Sequence, residues 1–162
     1  MNQAFPFNTI IAAPFGAIGV RADSDHLKEL VYLPPGTTPV DPATPLTKEI
    51  AHQLQCYFAS PGYQFDLPLL TQGTDYQHRV WNAIGQIPSG QVVTYGQLAR
   101  QIGSAPRAVG QACGANFYPL IIPCHRVTAA HGVGGFGNQD DAGSYHVRIK
   151  RWLLTHEGVH GY

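Results

Sequence analysis

The chain has 162 residues, 44% of them hydrophobic, and its ten basic and ten acidic side chains leave no net charge. This length suits one domain or two small ones. No apolar run approaches the roughly 20 residues of a membrane span, and the N-terminus lacks the basic and apolar pattern of a secretory signal. Three cysteines without a short spacing argue against a disulfide framework and a Cys-rich zinc site. We therefore expect a reducing compartment, the cytoplasm or, in a eukaryote, the nucleus.

The charged residues are unevenly distributed along the chain. Residues 1–78 hold three basic and seven acidic side chains, a net charge of −4, whereas residues 79–162 hold seven basic and three acidic ones, a net charge of +4. A basic half that faces phosphate and an acidic half that faces away are compatible with nucleic-acid binding. A chance distribution is the alternative.

The first part of the chain predicts a small α/β domain over residues 1–72. Apolar runs separated by turn signals predict strands over Thr9–Ala13, Ala17–Ala22 and Leu27–Leu33, arranged as an antiparallel meander. A helix with Thr44 as its N-cap and Pro45 in its first turn follows, with apolar residues at helical spacing from Ile50 to Phe58. The stretch from Ala59 to Gly73 is interpreted as an irregular connector that ends this domain.

The second part, residues 73–162, predicts a mainly α domain. Thr74 and Gln77 form one capping-box pattern, and Thr94 and Gln97 form a second one. The first predicts a helix that turns Val80, Trp81, Ile84 and Ile87 inward, and the second predicts a short helix that stops at Gly103.

A third helix of this part is predicted from Ser104, as its cap, to about Asn116. Together with the preceding short helix and the tight turn between them, it has the helix-turn-helix form. One face carries Arg107, Gly110, Gln111 and Gly114, which is small and polar with a single long cation. Such a face can approach the backbone of a partner closely. Packing against another helix is the alternative, because glycine and alanine also line helix–helix contacts.

The segment from Leu120 to Val127 carries the most informative chemistry. A short apolar run ends in Pro123-Cys124-His125-Arg126, which we interpret as a buried strand that delivers a polar cluster to its end. A cysteine acts as a nucleophile in its thiolate form. Neighbouring side chains of an extended strand point to opposite faces, so a contact of Cys124 with His125 needs a bridging water or a local turn. A buried cysteine beside a structural histidine is the alternative.

These segments together resemble the O6-alkylguanine-DNA alkyltransferases, also called methylated-DNA–protein-cysteine methyltransferases. The sequence Pro123-Cys124-His125-Arg126-Val127 matches the active-site signature of that family. The resemblance is strong over residues 74–158 and weak before them, where the strand pattern and residues 65–68 carry it. The other matching segments are Thr94–Ala99, Arg107–Gly110, Asn116 eight residues before Cys124, and Trp152–Gly158.

The resemblance implies a mechanism of alkyl transfer without a cofactor. Cys124 would attack the alkyl carbon on guanine O6, and His125 would deprotonate the thiol through a water. Glu157 would orient His125, as in a catalytic triad. Tyr95 would donate a proton to the departing guanine, and Asn116 would be the hinge residue of the family. The product is a thioether, so each molecule would act once; O4-alkylthymine is the second substrate that the resemblance implies.

The resemblance also implies how DNA is bound. The family extrudes the damaged base from a duplex through the minor groove, and Arg107 matches the side chain that fills the gap. A phosphate contact or an exposed surface arginine is the alternative for Arg107. The further DNA contacts that we predict are made by Ala108, Gly110, Gln111, Gly114, Thr94, Tyr95 and Arg126.

The remaining expectations concern the pocket, the metal and the architecture. The pocket residues implied are Tyr95, Val127, Gly135 and Phe136, although the stretch His131–His146 is longer than the usual family loop. Some relatives hold zinc in the N-terminal domain, but His26, His52 and Cys56 lack a ligand spacing, so no metal is expected. The implied architecture is a ribonuclease-H-like N-terminal domain and a winged-helix C-terminal domain, in a monomer.

Three other functions remain open at this stage. A protein of the same scaffold that only recognises the lesion would not need a nucleophile. The presence of Cys124 counts against this alternative. A helix-turn-helix regulator would prefer a particular sequence irrespective of damage. A cysteine hydrolase fits less well, because adjacent Cys124 and His125 suit it poorly.

Overall fold

The computed structural model describes residues 6–134 and 144–162. The chain forms two compact units, Met1–Thr71 and Gln72–Tyr162. Within the described residues, no helix has both the length and the apolar character needed to cross a bilayer.

The first unit contains a three-stranded antiparallel sheet of β1 (Thr9–Ala13), β2 (Gly16–Ala22) and β3 (Leu27–Leu33), in that order. In β3 the buried residues Leu27, Leu30 and Tyr32 face the core of this unit. The turn from β1 to β2 requires glycine at position 16, because a Cβ atom there would lie 2.5 Å from the carbonyl oxygen of Leu33. The meander predicted from the sequence is confirmed.

Helix α1 (Pro45–Ala59) completes this unit and begins at Thr44, as predicted. Its buried residues include Ile50, Leu54 and Tyr57, which recur at helical spacing. The connector after α1 is fixed by a buried side chain: the Gln53 amide accepts from the backbone N–H of Asp66 and donates to its carbonyl, both at 2.9 Å. A segment that looks irregular in the sequence is therefore held by hydrogen bonds like those of a strand.

The second unit contains the helices α2 (Asp75–Ile84), α3 (Tyr95–Ile102), α4 (Pro106–Gly114) and α5 (Tyr145–His156). Both predicted capping boxes are present, since Thr74 and Gln77, and Thr94 and Gln97, exchange side-chain and backbone hydrogen bonds. Two short parallel strands, β4 (Val93–Thr94) and β5 (Val127–Thr128), join the start of α3 to the segment after Cys124.

Helix α4 begins and ends differently from the prediction. Ala105 is its N-cap and offers no side-chain hydrogen bond, so the prediction of Ser104 as the cap is wrong. The Ser104 hydroxyl instead bonds the Tyr76 hydroxyl at 2.7 Å. The helix ends at Gly114, which leaves Asn116 outside it and free of helical geometry.

The segment before Cys124 also differs from the prediction of a buried strand. Residues 119–122 form a turn with a single bridge between Pro119 and Ile122. Leu120 has a φ of 77°, a left-handed conformation that costs a leucine energy. Its side chain is buried, and this burial offsets the backbone strain.

Candidate active site

The nucleophile candidate Cys124 lies at the start of a 3₁₀ turn, Cys124–Arg126, and is buried. The N–H of Cys124 donates to the Ile122 carbonyl at 2.8 Å, and the N–H of Arg126 donates to the Pro123 carbonyl at 2.9 Å. Because the backbone turns here, the side chains of Cys124 and His125 are both buried instead of pointing to opposite faces of a strand. The local turn that the sequence left as one alternative is the arrangement found.

Asn116 holds the thiol of Cys124 in place. Its Nδ2 donates to the Ile122 carbonyl at 2.9 Å and to the Cys124 Sγ at 3.2 Å. Its Oδ1 accepts from the N–H of Tyr118 at 2.8 Å. An amide with two donor protons and an acceptor oxygen can satisfy all three bonds at once, so one side chain ties the end of α4 to the nucleophile.

His125 is fully buried and its Nε2 lies 2.8 Å from Oε2 of Glu157. Burial lowers the pKa of His125, while the hydrogen bond and the charge of Glu157 partly offset this effect. The neutral ring must carry its proton on Nε2, since a carboxylate oxygen can only accept. The other nitrogen, Nδ1, makes no hydrogen bond to any described residue, so its lone pair can accept a proton.

Glu157 is shared between His125 and Arg126. The Nε of Arg126 donates to Oε1 at 2.8 Å and its Nη2 donates to Oε2 at 2.9 Å, while Nη1 donates to the Ile87 carbonyl at 2.6 Å. All three guanidinium nitrogens are thus used inside the second unit. The side chain turns inward to neutralise a buried carboxylate, and the DNA contact predicted for Arg126 stays a prediction.

The thiol of Cys124 is held in its protonated form by its surroundings. The Cys113 side chain and, after it, burial raise the pKa of Cys124 well above its usual value. The Asn116 hydrogen bond and the positive charge of Lys150 act in the opposite direction. The arrangement therefore needs a base at the moment of reaction, since thiolate is the reactive form.

The half-buried Tyr95 and the buried Lys150 form a second pair. The ammonium of Lys150 lies 3.4 Å from the Tyr95 hydroxyl and 5.5 Å from the centre of its ring. Burial lowers the pKa of Lys150 to about 8, and the nearby cysteines raise it. Burial, followed by the charges of Cys113 and Cys124, raises the pKa of Tyr95 above its usual value, so the phenol remains a proton donor.

Sequence reasoning missed Lys150, although a signal was present. In α5 the buried residues include Val147, Lys150 and Leu154, which share one face at i, i+3 and i+7. Burial of a lysine on an otherwise apolar stripe costs free energy unless its charge makes a favourable interaction. Its position in the middle of that stripe marks it as a candidate functional residue.

The exposed face of α4 is arranged as predicted. Arg107 and Gln111 are exposed, Ala108, Gly110 and Gly114 are half-buried, and Val109 and Ala112 on the other side are buried. Among the described residues, a Cβ atom built at Gly110 meets nothing within 4 Å. The buried side of α4 is anchored by Trp81, whose indole N–H donates to the Ala112 carbonyl at 2.8 Å.

The remaining predicted site residues are Thr94, Val127, Gly135 and Phe136. Thr94 caps α3, so its hydroxyl already accepts from the N–H of Gln97. Val127 is fully buried in β5. Gly134, with a φ of 79°, places its backbone against the Tyr95 ring, where a Cβ atom would come within 3.1 Å. The predicted pocket residues Gly135 and Phe136 lie outside the described residues.

The sequence profile of the family described as 6-O-methylguanine DNA methyltransferase, DNA binding domain, matches residues 75–159. A methylated-DNA–protein-cysteine methyltransferase of Methanosarcina acetivorans is 35% identical over 161 residues, covering 94% of this chain and 98% of the relative. This chain belongs to the methylguanine-DNA methyltransferase family.

Two solved structures extend the similarity beyond the matched residues. A crystal structure of Mycobacterium tuberculosis OGT in complex with DNA is 37% identical, with a TM-score of 0.75, and covers 91% of this chain and 90% of that one. An O6-methylguanine DNA methyltransferase from Methanococcus jannaschii is 25% identical, with a TM-score of 0.62 over 94% of this chain and 95% of that one. The methyltransferase similarity therefore covers both units.

Proposed function

We propose that the chain repairs DNA by direct reversal, moving an alkyl group, mainly methyl, from O6-alkylguanine or O4-alkylthymine to Cys124. Relatives that match most of the chain are named methylated-DNA–protein-cysteine methyltransferases. The observation that carries the proposal is the buried thiol of Cys124, held at 3.2 Å by Asn116, next in sequence to a buried histidine that is fixed by Glu157.

The first step of the proposed reaction is removal of the thiol proton. Nδ1 of His125 has a lone pair free to accept it, directly or through one water, while Nε2 donates to Glu157. The histidine becomes positively charged, and the buried carboxylate of Glu157 stabilises that charge. The ammonium of Lys150 favours the thiolate that forms on Cys124.

The second step transfers the alkyl carbon. A new S–C bond forms on Cys124 as the C–O6 bond breaks, and the electron pair of that bond stays on the guanine oxygen. The departing base needs a proton, and Tyr95 is the donor that the site offers, with Lys150 3.4 Å behind its hydroxyl. The thioether has no route back to the thiol, so one protein molecule repairs one lesion.

The DNA-binding part of the proposal rests on α4. Its exposed face presents one long cation, Arg107, beside Gly110, where the surface is open. Such a face can lie close to a duplex while Arg107 occupies the space of an extruded base. Thr94, Ala108, Gln111 and Gly114 complete the proposed contact surface, and we place it in the minor groove of double-stranded DNA. Most contacts go to phosphates, which predicts little sequence preference.

The finer architectural and cellular assignments are also proposals. We infer a ribonuclease-H-like fold for the N-terminal domain, residues 1–72, which would support the C-terminal winged-helix domain, residues 73–162. The second domain would bind DNA and transfer the alkyl group. We further propose that the protein acts as a monomer, without metal or other cofactor, in the cytoplasm or in a eukaryotic nucleus.

The deciding experiment measures where the alkyl group goes. The protein is mixed with a duplex that contains one O6-methylguanine, and its peptides are then analysed by mass. One methyl group on the Cys124 peptide, in a one-to-one ratio and without added cofactor, is the expected result. The Cys124→Ala variant should bind the duplex and accept nothing. An unmodified thiol in a tight lesion complex would indicate a recognition protein, and binding without lesion preference would indicate a regulator.

A further inference from the structure

The turn between α3 and α4 leads into the end of α4 that carries Arg107. It consists of Gly103 in a left-handed conformation with a φ of 70°, Ser104, and Ala105, the N-cap of α4. Ala105 makes no side-chain hydrogen bond to the helix, whereas α2 and α3 both begin with a capping box. The start of α4 therefore lacks a local cap, and contacts with other elements decide where it lies.

Two side chains of α2 hold this turn on either side of Gly103. The Tyr76 hydroxyl lies 2.7 Å from the Ser104 hydroxyl. The Nη2 of Arg79 donates to the Ile102 carbonyl at 2.9 Å. Ile102 is the last residue of α3, where a helix leaves carbonyls without an intrahelical partner and where a cation is favourable. The two donating positions are three residues apart, so one face of α2 makes both contacts.

The same two side chains also contact each other. The guanidinium carbon of Arg79 lies 5.5 Å from the centre of the Tyr76 ring, within the range of a cation–π interaction. Arg79 is exposed and Tyr76 is half-buried. The contact restricts the ring that brings the hydroxyl to Ser104, so the two residues hold the turn together.

Helix α2 holds the opposite end of α4 as well. The buried indole N–H of Trp81 donates to the carbonyl of Ala112, near the end of α4, at 2.8 Å. One helix thus supports α4 at two points, through Trp81 near its end and through the contact of Tyr76 with Ser104 just before its start. Arg107 lies on the first turn of α4, three residues after Ser104. Its position therefore depends on the second of these points.

We propose that Tyr76 and Arg79 are positioning residues for DNA binding, which fix the α3–α4 turn and thereby the place of Arg107 against the duplex. This inference rests on the proposed function, in which α4 contacts DNA. A side chain that is already in place loses less conformational freedom when it binds, so it contributes more to affinity. In this role both residues act through the turn and not by a contact with the damaged base.

The test combines Tyr76→Phe with Arg107→Ala in a double-mutant cycle. Tyr76→Phe removes only the hydroxyl and leaves the charge unchanged, and the loss of one hydrogen bond should lower duplex affinity about 2- to 10-fold. In the Arg107→Ala background the same change should have little effect, because the side chain that is positioned is missing. Equal effects in both backgrounds would overturn the proposal, and so would an unchanged affinity of the single variant.

A second readout separates positioning from a loss of stability. Transfer from single-stranded O6-methylguanine needs no side chain in the gap, so Tyr76→Phe should react with it at the wild-type rate and lose rate only on a subsaturating duplex. An equal loss on both substrates would indicate a destabilised protein and would overturn the proposal. Tyr63→Phe removes a hydroxyl from the other unit and should behave as the wild type. Ser104→Ala removes the partner of the same contact and repeats the test if Tyr76→Phe does not fold.

The role of Arg79 is tested by the salt dependence of binding. Arg79→Gln should weaken duplex binding and keep the wild-type slope of log affinity against log salt, because the guanidinium is bound to a backbone carbonyl and not to a phosphate. A slope shallower by about 1 would make Arg79 a phosphate contact and would overturn its positioning role. Methyl transfer by the wild type is measured in parallel. No transfer would refute the proposed function, whereas normal transfer without coupling between Tyr76 and Arg107 would refute only the positioning role.

Discussion

Arg126 and Glu157 form a two-point ion pair, with Nε to Oε1 at 2.8 Å and Nη2 to Oε2 at 2.9 Å. The same Oε2 atom lies 2.8 Å from Nε2 of His125. The orientation of the proposed base therefore depends on a carboxylate that an arginine holds in place. Two adjacent residues of the signature thus bind one carboxylate. Arg126 holds Glu157 in place, and Glu157 in turn orients His125.

Replacing Arg126 by leucine should destabilise the protein without a direct loss of phosphate contacts. The buried Glu157 would lose its cationic partner, and we expect the free energy of unfolding to fall by about 3 kcal/mol. Urea unfolding measures this change, and single-turnover assays should show slower methyl transfer. The slope of log affinity against log salt should match the wild type. Unchanged stability with a shallower slope would instead support the DNA contact predicted from the sequence.

Glu157→Gln should slow methyl transfer and shift its pH dependence. The hydrogen bond and charge of Glu157 raise the pKa of His125 against the effect of burial, so removing them lowers that pKa further. Because the base must be neutral, the acidic limb of the rate profile should move to lower pH. The plateau rate should fall by about 10² to 10⁴. Asp41→Asn, an exposed charge change in the other unit, is the control; a limb that moves to higher pH would contradict the assignment.

Lys150→Met should stabilise the protein while it impairs repair. The folded-state pKa of Lys150 is about 8 instead of 10.5, so the folded protein binds a proton less readily than the unfolded chain. Below pH 8 this difference destabilises the folded wild type by about 3 kcal/mol, and the methionine removes that cost. The difference in unfolding free energy between variant and wild type should shrink as the pH rises from 8 towards 10.5. A destabilised variant would contradict the burial argument.

Gly110→Ala should separate DNA binding from stability. A Cβ atom at this position meets no described residue within 4 Å, and alanine favours a helix over glycine by about 0.5 to 1 kcal/mol. We therefore expect a higher melting temperature and weaker binding to a duplex, because the methyl group would stand between α4 and the DNA. The control is Gly85→Ala at the end of α2, where a Cβ atom makes ordinary contacts at 3.5 Å. Equal DNA affinity of both variants would exclude close approach at position 110.

Arg107→Ala should lower the rate of repair more than it lowers duplex affinity. If this side chain fills the space of the extruded base, its loss disfavours extrusion, which costs a few kcal/mol. Comparing transfer from duplex and from single-stranded O6-methylguanine measures the effect, since a single strand needs no gap filled. An equal loss on both substrates would instead indicate a phosphate contact.

Much of the fold follows from local sequence signals. The boxes Thr74–Gln77 and Thr94–Gln97 form within one turn of chain, so their residues alone specify where α2 and α3 begin. The prediction of Ser104 as a helix cap was wrong, because its hydroxyl hydrogen bonds Tyr76, 28 residues away in the sequence. The backbone of Leu120 could not be predicted either. A left-handed conformation is strained for leucine, and burial of its side chain compensates for that strain.

The candidate site is less accessible to sequence reasoning. The pairing of His125 with Glu157 was implied by the family resemblance and is present as a hydrogen bond. Lys150 comes from α5, and its charge acts on Cys124 because α5 packs against the 3₁₀ turn. The spacing of residues along one helix does not show which residues of other elements they contact. The roles assigned to the site residues remain predictions.

Trp81 gives the protein an optical signal at the base of α4. Its indole N–H bonds the Ala112 carbonyl, and its ring lies edge-on to Phe117 at 6.1 Å. The chain has two tryptophans, and the other, Trp152, stacks on His156 at 4.7 Å. A Trp152→Phe variant leaves Trp81 as the single tryptophan emitter. Unlabelled protein thus reports displacement of α4 during a single encounter with DNA, on the timescale of stopped flow.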